Sequence, residues 1–509
     1  MQLQTLLTTL EQKLLHIQQA ERLDLNSDIA SIAYDSRKVV EQSLFIAVPG
    51  THTDGRRYLG EAVKRGAIVA LGEPLPADLQ PTPLPYIEVE DVRSALADLS
   101  CTIYDYPAQK LCTIGVTGTD GKTTTSNLIS TLFEAAGRRN GMMTTANFRL
   151  AGQDWENATR QSTLESLEIQ QFLRRFLDAG ATHAVIEATS HGLVLERVRG
   201  CQFDVGVVTN ITHEHLDFHK TLENYRRAKA RLFEMLAPRR NKGLGARPTA
   251  ILNRDDVSYE ILKPYCQVPI LEYGIDTPAA VRAVDLDMRA HSTKFRVILP
   301  DAEAHIVTRL VGRFNISNCL AAIATAYSQG ISIADIERGM ATVAGVSGRM
   351  ETIDEGQPFA VVVDYAHTAD SLEKVINTLR PLTKGKIIVV FGSAGERDTQ
   401  KRPIMGRVAA EKTEFFIITD EDPREEDRES ILRDIAEGAK AAGKREGKDF
   451  LCIADRTQAI ASAFAHAQPG DTVLLAGKGH EQSIIMGREK LPWDDRHVAR
   501  EQLQKMGAQ

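Results

Sequence analysis

The apolar residues of this chain fall into two alternating rhythms. Short runs such as "CTIGVTG" (112–118), "HAVIEATS" (183–190), "FDVGVVTNIT" (203–212) and "TAILN" (249–253) are too apolar for one-faced exposure and predict buried strands. Between them, 122–137 and 222–236 follow a helical spacing, the first stopped by Gly137. Strand–helix–strand alternation predicts a parallel sheet with ligand sites at the carboxyl ends of its strands. Residues 284–310 predict antiparallel β instead. The parallel grammar returns after "GVSGRME" in "FAVVVDYAH", "KIIVVFGSAG", "EFFIITDEDPR", "FLCIAD" and "TVLLAGKGHE". Each of these strands runs directly into a polar loop, so the loops should share one sheet edge. Near the start, 32–71 shows short strands and a helix-like stretch, "MQLQTLLTTLEQKLLHIQQ" reads as one amphipathic helix, and 104–110 reads as a proline-bearing linker. The expectation is an α/β chain of three units, 1–108, 109–346 and 347–509.

Length agrees, since 509 residues suggest roughly three domains. The net charge of −7 argues against nucleic acid as a partner. Six cysteines are scattered with no C-x-x-C pair, which fits a reducing compartment and no zinc ribbon. No apolar run approaches the roughly 20 residues that cross a bilayer, and the N-terminus lacks the pattern of a signal peptide. A cytoplasmic protein without membrane insertion is expected.

The chemistry starts at "GVTGTDGKTTT" (115–125). Strand, glycine turn, Lys-Thr and helix form the context of a phosphate cradle, but Val116 stands where G-x-x-x-x-G-K-[ST] needs glycine. Gly118 and Gly121 allow close backbone approach, Lys122 supplies charge, and Thr123 can reach Mg²⁺. Glu187 ends a strand, which suits either a Mg²⁺ ligand or a surface turn. "THEHLDFH" (212–219) nearly matches a dinuclear zinc pattern. It could hold metal through His215, with or without His213, or simply close a strand. Lys229 shares a helical stripe with Leu222, Tyr225, Leu232, Phe233 and Leu236. Such a lysine either snorkels outward or is a desolvated amine available for covalent chemistry.

Taken in order, "DSR…LF.A..G…DG", "TGTDGKTTT", "HEHLDFH", "AKARLF", "GRFN..N", "GRME", "DYAHT", "FG.AGERD..KRP" and "GKGHE" resemble the Mur ligases, and among them the MurE type. The likeness spans nearly the whole chain. That family's loop is itself T-G-T-x-G-K-T, so Val116 is no defect; Asp120 stands where asparagine is usual. The resemblance implies a UDP-binding first domain, a central P-loop-type ATPase and a Rossmann-like third domain. It implies ATP-dependent amide formation on UDP-MurNAc-L-Ala-D-Glu through an acyl phosphate, by a monomer. A folylpolyglutamate synthetase would share the ATPase core but not this first unit.

Residue by residue, the resemblance places nucleotide on Gly118, Thr119, Gly121, Lys122, Thr123, Thr124, Asn315, Arg349 and Asp364. It places Mg²⁺ on Thr123 and Glu187, and a second Mg²⁺ on His215 and on Lys229 as a CO₂-derived carbamate. The UDP-sugar dipeptide falls to Ser36, His52, Ser162, Thr163, Thr189 and Arg197, with Ser162-Thr163-Leu164 where the family usually shows Thr-Thr-Pro. The incoming diamino acid falls to Arg397, Glu421, Asp422, Pro423, Arg424, Gly477 and Glu481. Diaminopimelate-adding relatives usually show D-N-P-R, whereas this chain has E-D-P-R. The extra carboxylate of Asp422 should repel a distal carboxylate, which favours L-lysine or L-ornithine over meso-diaminopimelate.

Overall fold

The structure is a computed structural model that describes residues 1–50, 53–157, 159, 161–212, 214–236, 242, 245–289, 292–343, 345 and 348–507. His52 and His213 lie outside the described residues.

Three large sheets organise the described chain, beside a two-stranded ribbon of Ser483–Met486 and Glu489–Pro492. The first has five strands in the order Leu14–Gln18, Tyr86–Val89, Ala67–Gly72, Ser43–Ala47, Ser31–Ala33, parallel except for the first pair. Here the N-terminal expectation fails. The helix covers only Leu3–Leu7, and Leu14–Gln18 is an edge strand paired antiparallel with Tyr86–Val89. Backbone pairing at an open sheet edge outweighs a helical apolar spacing that only Leu3 and Leu6 bury deeply.

The second sheet has eleven strands. Its centre is parallel and runs from Val281–Met288 through Ile270–Gly274, Thr249–Asn253, Val205–Val208, Cys112–Thr117 and His183–Glu187 to Asn140–Met143. Antiparallel strands close both edges, including the expected Thr293–Ile298 and Glu303–Thr308. Cys112–Thr117 is buried at every position and lies between His183–Glu187 and Val205–Val208. The chain therefore crosses over that strand, and its carboxyl end is where a doubly wound sheet opens a crevice.

The third sheet runs Glu351–Ile353, Ala360–Asp364, Thr472–Ala476, Ile387–Phe391, Phe415–Ile418, Phe450–Cys452, parallel except for the first pair. The loops after 364, 391, 418 and 476 leave the same edge. All six cysteines are free thiols. Among the described residues, no helix is long and apolar enough to cross a membrane.

Candidate active site

The loop between Cys112–Thr117 and the helix Lys122–Ala135 is shaped by two glycines. A Cβ on Gly118 would stand 1.8 Å from Thr209 Oγ1, and one on Gly121 would stand 2.2 Å from Asn318 Oδ1. Gly121 also has φ 82°, which L side chains rarely adopt. The loop is further fixed by Thr119 N donating to Asn210 O (2.8 Å) and Asp120 N donating to Asn210 Oδ1 (3.0 Å). It ends on a helix whose first backbone N–H groups, Thr123 and Thr124 among them, have no intrahelical partner. This is a cradle for an anion. Lys122 folds back, its Nζ donating to Thr119 O at 2.6 Å, so its charge lies over the same loop.

Glu187 is 2% exposed at the carboxyl end of the neighbouring strand. Its Oε2 accepts from Thr123 Oγ1 (2.9 Å) and Thr145 N (3.0 Å), and its Oε1 accepts from Thr145 Oγ1 (2.8 Å). A hydroxyl and a carboxylate beside a phosphate cradle are the hard oxygen donors Mg²⁺ prefers, so these residues fit the ion. Thr145 had no signal in the sequence, because it is brought to Glu187 only by the adjacent strand.

Lys229 settles its two sequence readings in favour of burial. It is 1% exposed, on one face with Tyr225, Leu232 and Phe233. Its Nζ donates to Gly118 O at 2.6 Å and lies 4.5 Å from the Tyr225 ring centroid. Burial first, then the neighbouring Lys122 charge, hold the amine well below its ordinary pKa of 10.5. An amine whose pKa is lowered in this way gives up its proton more readily than a surface lysine and is the better nucleophile.

His215 lies against the same tyrosine, ring centroids 6.5 Å apart, and edge-on to His191 at 4.8 Å. Its φ of 54° is left-handed, and its Nε2 is 3.6 Å from Glu214 Oε1. Glu214, unassigned by the sequence, also accepts from Tyr225 OH (3.3 Å). Burial raises its carboxyl pKa, but Lys122, His215, Lys229 and His367 outweigh that and lower it. Among the described residues no three His, Cys, Asp or Glu side chains form a metal-holding group; a donor made from Lys229 would add to His215.

The expected dipeptide residues gather beyond Glu187. Thr163 Oγ1 donates to Glu187 O (2.9 Å) and lies 2.9 Å from Thr189 Oγ1. Arg197 donates to Thr163 O (3.0 Å) and pairs with Glu165 (2.7 Å). Ser162, Thr163 and Glu187 line one small cavity. Ser36 is buried in the first unit, donating to Glu61 (3.2 Å). Asn315 is committed to its own helix, donating to Val311 O (2.9 Å) and accepting from Asn318 (3.2 Å).

From the third sheet, Asp364 accepts from Met350 N (2.7 Å) and Ala366 N (2.8 Å), with burial raising its carboxyl pKa against the opposing pull of Arg349. The Arg349 guanidinium stacks over Tyr365 at 4.5 Å. At the neighbouring loops, Lys478 is fully buried and donates to Asp422 Oδ1 (2.8 Å) and Glu481 Oε2 (2.5 Å). Asp422 Oδ1 also accepts from Ile485 N (2.9 Å). Glu421 is buried with no hydrogen-bond partner for Oε2 among the described residues, and Arg424 is in the same position at Nε. Arg424 Nη1 is 4.0 Å from Glu396. Pro423 O lies against Gly395, Gly477 N donates to Asp364 O (3.1 Å), and Arg397 is exposed on the adjacent loop.

A cavity of about 390 Å³ lined by Arg138, His183, Arg247 and Gln329 opens at the amino ends of the central strands, the edge away from all these groups.

A phosphate cradle at the end of one parallel sheet and a charged loop cluster at the end of a second are parts that a nucleotide-dependent group-transfer enzyme would need. Residues 28–104 match the Mur ligase family catalytic domain, 116–326 the Mur ligase middle domain, and 348–479 the Mur ligase glutamate ligase domain. A UDP-N-acetylmuramyl-tripeptide synthetase of Roseiflexus sp. is 46% identical over 95% of this chain and 96% of its own. A UDP-N-acetylmuramoyl-L-alanyl-D-glutamate–2,6-diaminopimelate ligase of Geobacillus kaustophilus is 40% identical over 95% and 96%. A solved structure of a diaminopimelate ligase of that kind is 30% identical, covers 95% of this chain and 97% of its own, and superposes with a TM-score of 0.63. The chain belongs to the Mur ligase family, and it is a ligase.

Proposed function

We propose that this ligase uses ATP and Mg²⁺ to join a diamino acid to UDP-MurNAc-L-Ala-D-Glu, as a cytoplasmic monomer. Residues 1–108 would hold the UDP end, 109–346 the nucleotide, and 347–509 the amino acid. The substrate carboxylate takes the γ-phosphoryl group as ADP leaves; the acceptor amine then attacks the acyl carbon and phosphate departs. Thr123 and Glu187 would hold one Mg²⁺, which shields phosphoryl charge. Lys122 supplies fixed positive charge at the same place. Thr163, Thr189 and Arg197 orient the donor carboxylate.

The observation that carries this reading is the buried Lys229 amine on the Gly118 carbonyl. Its lowered pKa favours the free amine, which can attack CO₂ through its nitrogen lone pair, lose a proton and become a carbamate. That turns a lysine of no use to a cation into an oxygen donor beside His215, suited to a second Mg²⁺.

Within the acceptor site, Glu421 Oε2 lacks a donor and Arg424 Nε lacks an acceptor among the described residues. An α-amino acid supplies an ammonium for the first and a carboxylate for the second. Lys478 pairs with Asp422 and Glu481, and Glu421 is buried at the same edge. Carboxylates at this edge support a side chain ending in a bare ammonium, L-lysine or L-ornithine. The second reading is meso-diaminopimelate, favoured by the unpaired Arg424 Nε, which could read a distal carboxylate instead. Phosphate release with UDP-MurNAc-L-Ala-D-Glu and each amino acid in turn, with product masses, tests both. Release with lysine or ornithine supports the first, efficient release only with diaminopimelate supports the second, and no release with any of the three contradicts the function.

A further inference from the structure

Asp120 lies within the phosphate loop, between Gly118 and Gly121, where its carboxylate is a negative charge beside a cradle built for anions. Its partner comes from another unit. Lys374, on the helix Ala369–Leu379, donates from Nζ to Asp120 Oδ2 at 2.9 Å and is also paired with Asp370 at 2.6 Å. Both partners are about two-fifths exposed, so the pair sits at a surface that ligands can reach. Burial works to raise the Asp120 carboxyl pKa, and Lys374, Lys122 and Arg349 together outweigh it. The same helix seats itself on the central unit through an apolar contact. Thr378 Cγ2 lies 2.4 Å from where a Gly312 Cβ would stand, and Val311 and Phe314 pack with Leu372, Val375, Ile376 and Leu379.

We propose that Asp120 and Lys374 form an interdomain pair that makes phosphate binding depend on docking of the third unit. With the helix docked, Lys374, shared with Asp370, offsets part of the Asp120 charge at the loop, where Lys122 and Arg349 also act on it. With the helix withdrawn, Asp120 loses Lys374, and its charge opposes the phosphates more strongly. Affinity for a nucleotide and docking of the third unit then reinforce one another by the same factor. Lys374 is a positioning residue here: it acts through Asp120, not on the reacting atoms. The inference rests on reading this loop as the ATP phosphate site.

The test is calorimetric binding of Mg·ADP, with KM for ATP and kcat, for wild type, Lys374→Met, Asp120→Asn and the double variant. Lys374→Met should weaken ADP binding and raise KM for ATP about tenfold, within the usual range of coupling, with kcat and thermal midpoint unchanged. Asp120→Asn alone should bind within about twofold of wild type, and adding it to Lys374→Met should restore binding to the same level. A double variant as weak as Lys374→Met overturns the inference, because Lys374 would then act without Asp120. Lys374→Met binding like wild type overturns it as well. Wild type that binds no ADP brings down the reading of the loop and this inference with it.

Discussion

Two loop edges of this ligase, one at the end of the central sheet and one at the end of the third, are built on opposite plans. The phosphate edge is sparing with charge. Gly118 and Gly121 clear space, hydroxyls of Thr123 and Thr145 sit on one carboxylate, and burial lowers the pKa of Lys229. The acceptor edge is crowded with charge, and Lys478, wholly buried, holds Asp422 and Glu481 at once. Under the proposed function, the difference follows from what each edge would bind. A polyphosphate brings its own charge and metal, so the protein supplies backbone N–H groups and space. An amino acid brings both signs on a few atoms, so the protein needs fixed charges of both signs, and these must stabilise one another when the site is empty.

The sharpest way to break this contrast is to remove the charge that organises the acceptor edge. Lys478→Met leaves two carboxylates without their buried partner and should destabilise the protein by about 3–5 kcal/mol, read in urea unfolding. An unchanged midpoint would mean that the cluster does not hold that edge together. On the phosphate edge, Lys122→Ala should leave unfolding nearly unaltered while lowering kcat about 10²–10³-fold, the usual loss for one electrostatic donor. A large loss of stability there would erase the distinction between the edges.

Asp422→Asn is milder. It removes one of three acceptor-site carboxylates and should shift the ratio of kcat/KM toward meso-diaminopimelate, on the order of tenfold, or about 1.4 kcal/mol. A ratio unmoved by this change would show that Asp422 does not select the acceptor.

The smallest effect concerns Lys229 in CO₂-free buffer. The folded protein holds the pKa of this amine below the 10.5 of the unfolded chain, so the unfolded state binds more protons between the depressed pKa and 10.5. Stability of the wild type therefore rises with pH over that window. Lys229→Met should be the more stable protein near neutrality, with an advantage that shrinks as pH approaches 10.5. Each kcal/mol corresponds to about 2–4 °C in thermal midpoint for a unit of this size. A difference that grew with pH would reverse the assignment.

The contrast also explains what could be read from the chain. The phosphate edge was legible because its parts are close in sequence or sit at strand ends: the cradle spans 118–124, and Glu187 closes an apolar run. The strand pattern was equally plain wherever runs were buried on both faces. What escaped depends on pairing between distant segments. Lys478 and Asp422 are 56 residues apart, Asp120 and Lys374 are 254 apart, and Thr145 reaches Glu187 across 42 residues. No local spacing encodes such contacts. The N-terminal stretch failed for a related reason, since Leu14–Gln18 is a strand only because Tyr86–Val89 offers it an edge. Spacing in the chain carried the apolar stripe of Lys229, but only burial decided between a snorkelling lysine and one with a lowered pKa.

The central claim is that both edges serve one reaction, in which the phosphoryl group passes to a carboxylate before the amine arrives. The most direct measurement follows oxygen. UDP-MurNAc-L-Ala-D-Glu carrying ¹⁸O in the reacting carboxylate should deliver one labelled oxygen to each phosphate released, and only when a diamino acid is present to form the amide. Unlabelled phosphate accompanying full amide formation would contradict an acyl phosphate and, with it, the joint role of the two edges.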